Sequence, residues 1–419
     1  MNRVKRITSA LAALALLATG AAVGATLPAA AGTITAEQGH GADHGPRDSG
    51  GWAGTWEAAP QPPQQAALTD TTLRLVVHTS LGGEAVRIRV SNRFGTEPLQ
   101  LGAAFAAPRT NGADVGRGAR LTFGGRSAIT VGEGSDVVSD PAPVAVRGLS
   151  DLAVSLYVES SGPPTTHADF GNSHQTSYTA TGDHAGDPAG SAFTSTTTSW
   201  PLLSGVSVEA RHAASVVTLG DSITDGTAST TDADARYPDF LARRLAAQPA
   251  SRRLGVVNAG IGGNELLRTS GCCGSTPSAL ARLDQDVIAQ DGVHSVIVLE
   301  GINDIGGIHH ADAASLIAGL QQVSVRLHAQ GIRVLGGTIT PSYGRPGDYG
   351  TQATEDVRQE VNRWIRTSRA FDAVVDFDAA LRDSRDPRRL QAGYDSGDHL
   401  HPNDAGYRAM AAAVPLAAL

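Results

Sequence analysis

Cysteine is nearly missing from this chain. Of 419 residues only Cys272 and Cys273 are cysteines, and they are neighbours. A cysteine zinc site needs a second pair, so that class is excluded. Adjacent cysteines bridge only through a strained eight-membered ring. The two are therefore read as reduced thiols or, in an oxidising compartment, as a vicinal disulfide stiffening its loop. Long apolar runs are missing too. Beyond the N-terminus nothing approaches the roughly 18 apolar residues of a membrane span, so no stable membrane insertion is expected. Positive charge is not in excess. Lys and Arg number 33 against 41 Asp and Glu, a net charge of -8, which gives no reason to expect nucleic acid or an anionic membrane as partner. No serine stands in a Gly-x-Ser-x-Gly setting, which disfavours the nucleophile elbow of the α/β-hydrolase fold. His309 and His310 lack a paired acidic cluster, so no metal and no cofactor is expected.

What is present divides the chain into four. Lys5 and Arg6 precede an apolar run at residues 11–17, and small residues follow to Ala31. Residues 1–31 read as a secretory signal peptide, which makes the expected product secreted and extracellular; a monomer is expected. Residues 32–50 are rich in Gly, His, Asp and Glu and read as a disordered linker. Residues 51–210 are strand-rich. Leu73, Leu75 and Val77, then Val86, Ile88 and Val90, then Leu152, Val154, Leu156 and Val158 alternate with other residues. That period of two predicts half-buried antiparallel strands and an all-β, jelly-roll-like sandwich. Trp52, Trp56, Phe94, His167, His174 and Tyr178 are candidates for a sugar-facing surface of this sandwich. The competing reading has the tryptophans plugging the sandwich edge and the histidines on the surface.

From residue 211 to 419 strands and helices alternate. Apolar runs at residues 216–219, 256–258, 296–299, 334–339 and 374–377 predict five strands. Leu316, Leu320, Val323 and Leu327 mark the longest helix between them, and Thr276 is read as capping a helix that opens on Pro277. This pattern predicts right-handed crossovers and a parallel sheet in a flavodoxin-like three-layer α/β/α domain. The polar motifs all fall after strand ends. Ser222 follows the first strand, residues 258–263 (Asn-Ala-Gly-Ile-Gly-Gly) the second, and residues 301–304 (Gly-Ile-Asn-Asp) the third. Residues 398–402 (Asp-His-Leu-His-Pro) lie beyond the fifth. In the strand order 2-1-3-4-5, Ser222 stands between the glycine loop and Asn303. Aspartate three residues before histidine can bond one ring nitrogen while the other faces the serine. The roles expected are Ser222 as nucleophile, His401 as base and Asp398 as its orienting acid. The oxyanion would be held by Ser222, a glycine-loop N–H and the Asn303 amide. Asp221 and Asp304 are read as loop braces, and His399 as a residue outside the reacting group.

The segment Gly-Asp-Ser-Ile at 220–223, with the three later blocks in this order, resembles the SGNH or GDSL-like hydrolases from residue 215 onward. The resemblance implies a serine esterase that works without metal, and it selects Gly263 as the oxyanion glycine, with Gly262 the alternative. A β-sandwich preceding such a domain resembles secreted bacterial carbohydrate esterases. The expected activity is hydrolysis of a small-molecule or polysaccharide ester through an acyl-enzyme, foremost deacetylation of a carbohydrate. A lipase or arylesterase acting on lipid or aryl esters is the alternative, and a non-catalytic carbohydrate-binding protein the rival from another class.

Overall fold

The computed structural model describes residues 51–168, 172–270 and 275–419. The leader and linker read over residues 1–50, and the cysteine pair, lie outside the described residues. Among the described residues no helix is long and apolar enough to cross a membrane.

The apolar runs after residue 211 form five parallel strands, β1 (Ser215–Gly220), β2 (Gly255–Gly260), β3 (Val293–Leu299), β4 (Arg333–Gly337) and β5 (Ala373–Val375). Their order across the sheet is β2-β1-β3-β4-β5, as the strand-end motifs require. Every residue of β1 is buried, which a strand covered on both faces demands. Among the described residues eight α-helices lie between and after the strands: α1 (Ser222–Asp225), α2 (Tyr237–Ala246), α3 (Ala279–Leu283), α4 (Ile302–Gly306), α5 (Ala313–His328), α6 (Gln352–Thr367), α7 (Phe377–Leu381) and α8 (Asp404–Ala413). Helix α8 packs against α2 and α7, and α5 against α3 and α6, which with the sheet gives the three layers. Helix α5 shows why. Leu316, Leu320, Val323 and Leu327 are all buried, and each is worth about 1.5–3 kcal/mol over exposure. That outweighs any intrinsic helix preference of the segment.

Element ends differ from expectation where a polar side chain intervenes. Strand β5 stops at Val375, because Asp376 accepts from the Ala379 N–H and caps α7. Helix α3 is capped by Ser278, whose hydroxyl accepts from the Ala281 N–H, rather than by Thr276, so Pro277 lies outside it.

The N-terminal part is antiparallel. One sheet joins Gly51–Glu57, Leu203–Ala210, Ala85–Ser91 and Asp136–Val138. A larger one is built on Thr69–Thr79, Ser150–Ser160, Leu99–Asn111 and Ser177–Thr181. Leu73, Leu75, Val77, Val86, Ile88, Val90, Leu152 and Val154 fill the core between them. The larger sheet is less half-buried than its alternation suggests. Arg74 and Ser155, on its outer face, are buried as well. Arg74 donates to the carbonyls of Ala113, His184 and Asp187 and to the Ser155 hydroxyl, so polar loops cover that face.

The two parts are stitched together by hydrogen bonds. The Gly54 N–H donates to the Asp291 carbonyl at 2.9 Å, and the Val256 N–H to Ser80 Oγ at 2.8 Å. Ala58 forms a parallel bridge with Asn258, which lays the first sandwich strand along the β2 edge. Arg93 pairs with Asp286 at 2.8 Å, and Asp232 receives the Gln175 amide and the Thr176 hydroxyl.

Candidate active site

Ser222 opens α1 immediately after β1. The turn is tight, and its neighbours make room for it. A Cβ on Gly220 would lie 2.1 Å from Thr224 Oγ1, and one on Gly260 2.2 Å from the Asp225 nitrogen. Both contacts are impossible, so only glycine lets β1 and β2 pass the helix this closely. Asp221 caps α1 by accepting from the Ile223 N–H at 2.9 Å, which is the bracing role read for it. Burial pushes the Asp221 carboxyl up to about 7, against the pull of that N–H and of nearby His401.

The chain after β5 returns across the top of the sheet and delivers Asp398 and His401. Ser222 Oγ lies 2.9 Å from His401 Nε2, and His401 Nδ1 lies 2.7 Å from Asp398 Oδ2. A carboxylate oxygen only accepts, so Nδ1 carries the ring proton and Nε2 offers a lone pair to the serine hydroxyl. Ser222 and His401 are buried, while Asp398 keeps one edge open. Burial opposes ionisation of Asp398, but the His401 ring and the N–H groups of His401 and Leu400 together hold its carboxyl well below the ordinary range. Arg345 adds a partner the sequence reading missed. Its Nη1 donates to Asp398 Oδ2 at 2.6 Å and to the Asp398 carbonyl at 3.2 Å.

Asn303 sits in the first turn of α4, beyond β3, and is buried. Its Nδ2 donates to the Asn264 carbonyl at 2.8 Å, and its Oδ1 accepts from Tyr349 Oη at 2.9 Å. These two bonds fix which face of the amide is nitrogen and leave its second N–H to donate elsewhere. Asp304 accepts from the N–H groups of Leu266 and Leu267 at 2.8 and 3.0 Å, tying the glycine loop to α4. Burial pushes the Asp304 carboxyl up to about 6. Gly263, in that loop, has φ 70°, a conformation that favours glycine. Beneath the loop Arg282 donates to the carbonyls of Gly220 and Ala259 and to Asn264 Oδ1, so one buried guanidinium ties β1, β2 and the glycine loop together. Neither Arg282 nor Tyr349 belongs to a short motif, and no local pattern singled them out.

The candidates on the sandwich fare differently. Trp56 and His167 are buried and do not form a sugar-facing surface. The Trp56 ring packs edge-on against Trp200 at 5.0 Å, within the sandwich core. His167 lies between Ala59 and Asp225, at 2.9 and 3.1 Å. The Arg87 guanidinium covers the Trp52 ring at 4.5 Å, and the Trp52 backbone abuts Gly292, just before β3 begins. That is the amino end of the sheet, opposite Ser222. Tyr178 Oη accepts from Arg109 at 3.3 Å within the large sandwich sheet. Elsewhere, His309 pairs with Glu265 at 2.8 Å and His399 with Asp395 at 2.5 Å.

A hydroxyl, an imidazole and a carboxylate in this series can transfer the serine proton to Nε2 as oxygen attacks a carbonyl carbon. Residues 218–409 match the family model described as GDSL-like Lipase/Acylhydrolase family. No curated protein matches the chain. Solved structures similar to it include a GDSL-like lipase from Bacteroides thetaiotaomicron VPI-5482, at 20% identity, covering 47% of this chain and 83% of that one, with a TM-score of 0.36. The native M. smegmatis aryl esterase is 15% identical over 48% of this chain and 96% of its own, with a TM-score of 0.39. Est24, a carbohydrate acetylesterase from Sinorhizobium meliloti, is 13% identical over 47% of this chain and 94% of its own, with a TM-score of 0.37. The part of this chain that carries Ser222, Asn303, Asp398 and His401 is thus a domain of the GDSL-like lipase/acylhydrolase family, a family of carboxylic ester hydrolases.

Proposed function

We propose that the chain is a secreted serine esterase that removes short acyl groups, foremost acetyl, from a carbohydrate. The observation that carries the esterase reading is the unbroken series Ser222 Oγ, His401 Nε2, His401 Nδ1, Asp398 Oδ2, with contacts of 2.9 and 2.7 Å. His401 takes the Ser222 proton as Oγ attacks the ester carbonyl. The developing oxyanion is held by the free N–H of Asn303 with the backbone N–H groups of Ser222 and Gly263. The alkoxide leaves with the proton from His401, and water repeats the sequence on the acyl-serine. Asp398 stays ionised throughout and stabilises the imidazolium.

The preference for a short acyl group on a polar alcohol rests on the surroundings. Asn303, Tyr349, Arg345, Asp398 and the Glu265–His309 pair place hydrogen-bonding groups around the serine. A long alkyl chain would take such groups out of water and offer their remaining donors and acceptors no partner. Sugar hydroxyls would partner them. The leader-like N-terminus agrees with an extracellular substrate.

The deciding experiment sets acetyl, butyryl and long-chain p-nitrophenyl esters beside acetylated polysaccharides. Acetyl release should dominate in kcat/KM. Faster turnover of long-chain esters would make the enzyme a lipase instead. Asn303→Ala should lower kcat by roughly 10²–10³ with KM little changed, because its donor matters most once the oxyanion forms. An effect confined to KM would put Asn303 in ground-state binding.

A further inference from the structure

The helix that carries Ser222 is four residues long. One turn has almost no stability of its own, so its orientation must come from outside. Its own domain holds it through the Asp221 cap, buried Ile223, the Ser222–His401 contact, and Asn258 Nδ2, which donates to the Thr224 carbonyl at 2.9 Å. A further hold comes from the sandwich. His167, in a short strand paired with Trp200–Pro201, points Nε2 at Asp225 Oδ1 at 3.1 Å. Asp225 is one turn after Ser222 and closes the helix. Both side chains are almost fully buried, at 3% and 4% exposure.

The proton count of this pair is constrained. His167 Nδ1 faces the Ala59 carbonyl at 2.9 Å, which can only accept, so Nδ1 carries hydrogen. Nε2 faces a carboxylate, so a second proton lies between ring and Asp225. The other Asp225 oxygen, Oδ2, is buried with no hydrogen-bond partner, which leaves His167 as the group that compensates this carboxylate. The Arg236 charge also acts on the ring, and it opposes protonation. Burial also opposes it, but the attraction and hydrogen bond of Asp225, with the Ala59 carbonyl, outweigh both and raise the ring's proton affinity.

We propose that His167 is a positioning residue for the nucleophile: its imidazolium, supplied by the sandwich, pairs with Asp225 and holds α1 in place, so that hydrolysis fails in alkali when the ring loses its proton. This rests on Ser222 being the nucleophile. A histidine held protonated by the fold contributes fully below its ordinary value of about 6.5, and the contribution disappears as pH climbs past the raised folded value. It also explains why the two parts of the chain are joined at this point. The sandwich completes the setting of the reacting serine rather than offering a separate surface.

The test uses the full chain with His167→Gln, Asp225→Asn and the double variant. A fluorophosphonate probe reports the reactivity of Ser222, and p-nitrophenyl acetate gives kcat and KM from pH 6 to 10. At neutral pH, His167→Gln should label at Ser222 and turn over roughly 10- to 100-fold more slowly, as a misplaced nucleophile does, with KM little changed. The wild type should show an alkaline fall in kcat, and this fall should be absent from His167→Gln. Asp225→Asn should match it, and the double variant should be no worse than either single one. Wild-type labelling rate in folded His167→Gln, or an alkaline limb that persists there, overturns the proposal. Absence of label from Ser222 in the wild type overturns the nucleophile reading itself, and the proposal with it. Where the variants fail to fold, NMR titration of the wild-type ring decides. A doubly protonated His167 at pH 7, deprotonating across the range in which kcat falls, supports the pairing, and a singly protonated ring at pH 6 overturns it.

Discussion

Ser222→Ala should leave a folded protein that has lost ester hydrolysis, with kcat on p-nitrophenyl acetate down by on the order of 10⁴–10⁶. The loss is large because Oγ is both the attacking atom and the group whose proton His401 accepts, at 2.9 Å. The fold should not notice. Among the described residues Oγ hydrogen-bonds His401, and alanine is at least as good a helix former as serine. His401 Nε2, which accepts in this tautomer, is left without a donor, but no buried N–H is orphaned. A thermal midpoint within about 2 °C of wild type would fit a change this small. Some activity above water should remain, since the oxyanion donors are untouched. Purified Ser222→Ala turning over the ester at the wild-type rate would remove Ser222 from the mechanism. So would a wild-type acyl burst traced to another residue.

What could be read from the sequence was whatever a short stretch encodes by itself. The β1 run and its abrupt end at Gly220-Asp221-Ser222 carry both a buried strand and a turn within eight residues. Asp398 and His401 sit on one turn, so their mutual contact was local too. Long-range partners left no such trace. Arg345 lies in a Gly- and Pro-rich loop after β4 and reaches Asp398 across 53 positions. Tyr349 reaches Asn303 across 46, and Arg282 the Gly220 carbonyl across 62. An arginine or tyrosine in a loop is too common for its partner to be named from composition. The sandwich aromatics failed for a related reason. Trp56 and His167 have polar atoms and large rings, which suit a sugar face equally with a core. Burial decides between these, and burial depends on the mate, Trp200 in one case and Asp225 in the other. Strand alternation likewise could not show that loops around Ala113 and His184 cover the outer face over Arg74.

Asp398→Asn should cost about 10⁴ in kcat with the fold intact, and the reason lies in which atoms face the carboxylate. Asp398 Oδ1 accepts from the N–H groups of Leu400 and His401 at 2.9 and 2.8 Å. Its Oδ2 accepts from His401 Nδ1 at 2.7 Å and from Arg345 Nη1 at 2.6 Å. These four can only donate; the Ser396 hydroxyl, 3.2 Å from Oδ1, could turn to accept but serves one side only, so an amide cannot satisfy both sides. If its oxygen stays with the two backbone N–H groups, its NH2 faces the ring. Nδ1 must then accept, the ring proton moves to Nε2, and the base can no longer take the Ser222 proton. If the amide flips, the correct tautomer is kept, but NH2 confronts two N–H groups that lose their acceptor, at about 1–3 kcal/mol each. The first arrangement is the cheaper, and it is the inactive one. Arg345 faces the substituted amide in that arrangement and loses its charge-assisted bond, so the loop that carries it should become more susceptible to proteolysis. The pH signature follows from the lowered carboxyl. A depressed folded value adds stability that is present above the unfolded value of about 3.9 and is lost only as pH falls through the folded one. Melting points of wild type and Asp398→Asn should therefore be separated at neutral pH and converge only in strong acid. Retention of more than a tenth of wild-type kcat by a folded Asp398→Asn would mean that His401 is oriented by another group.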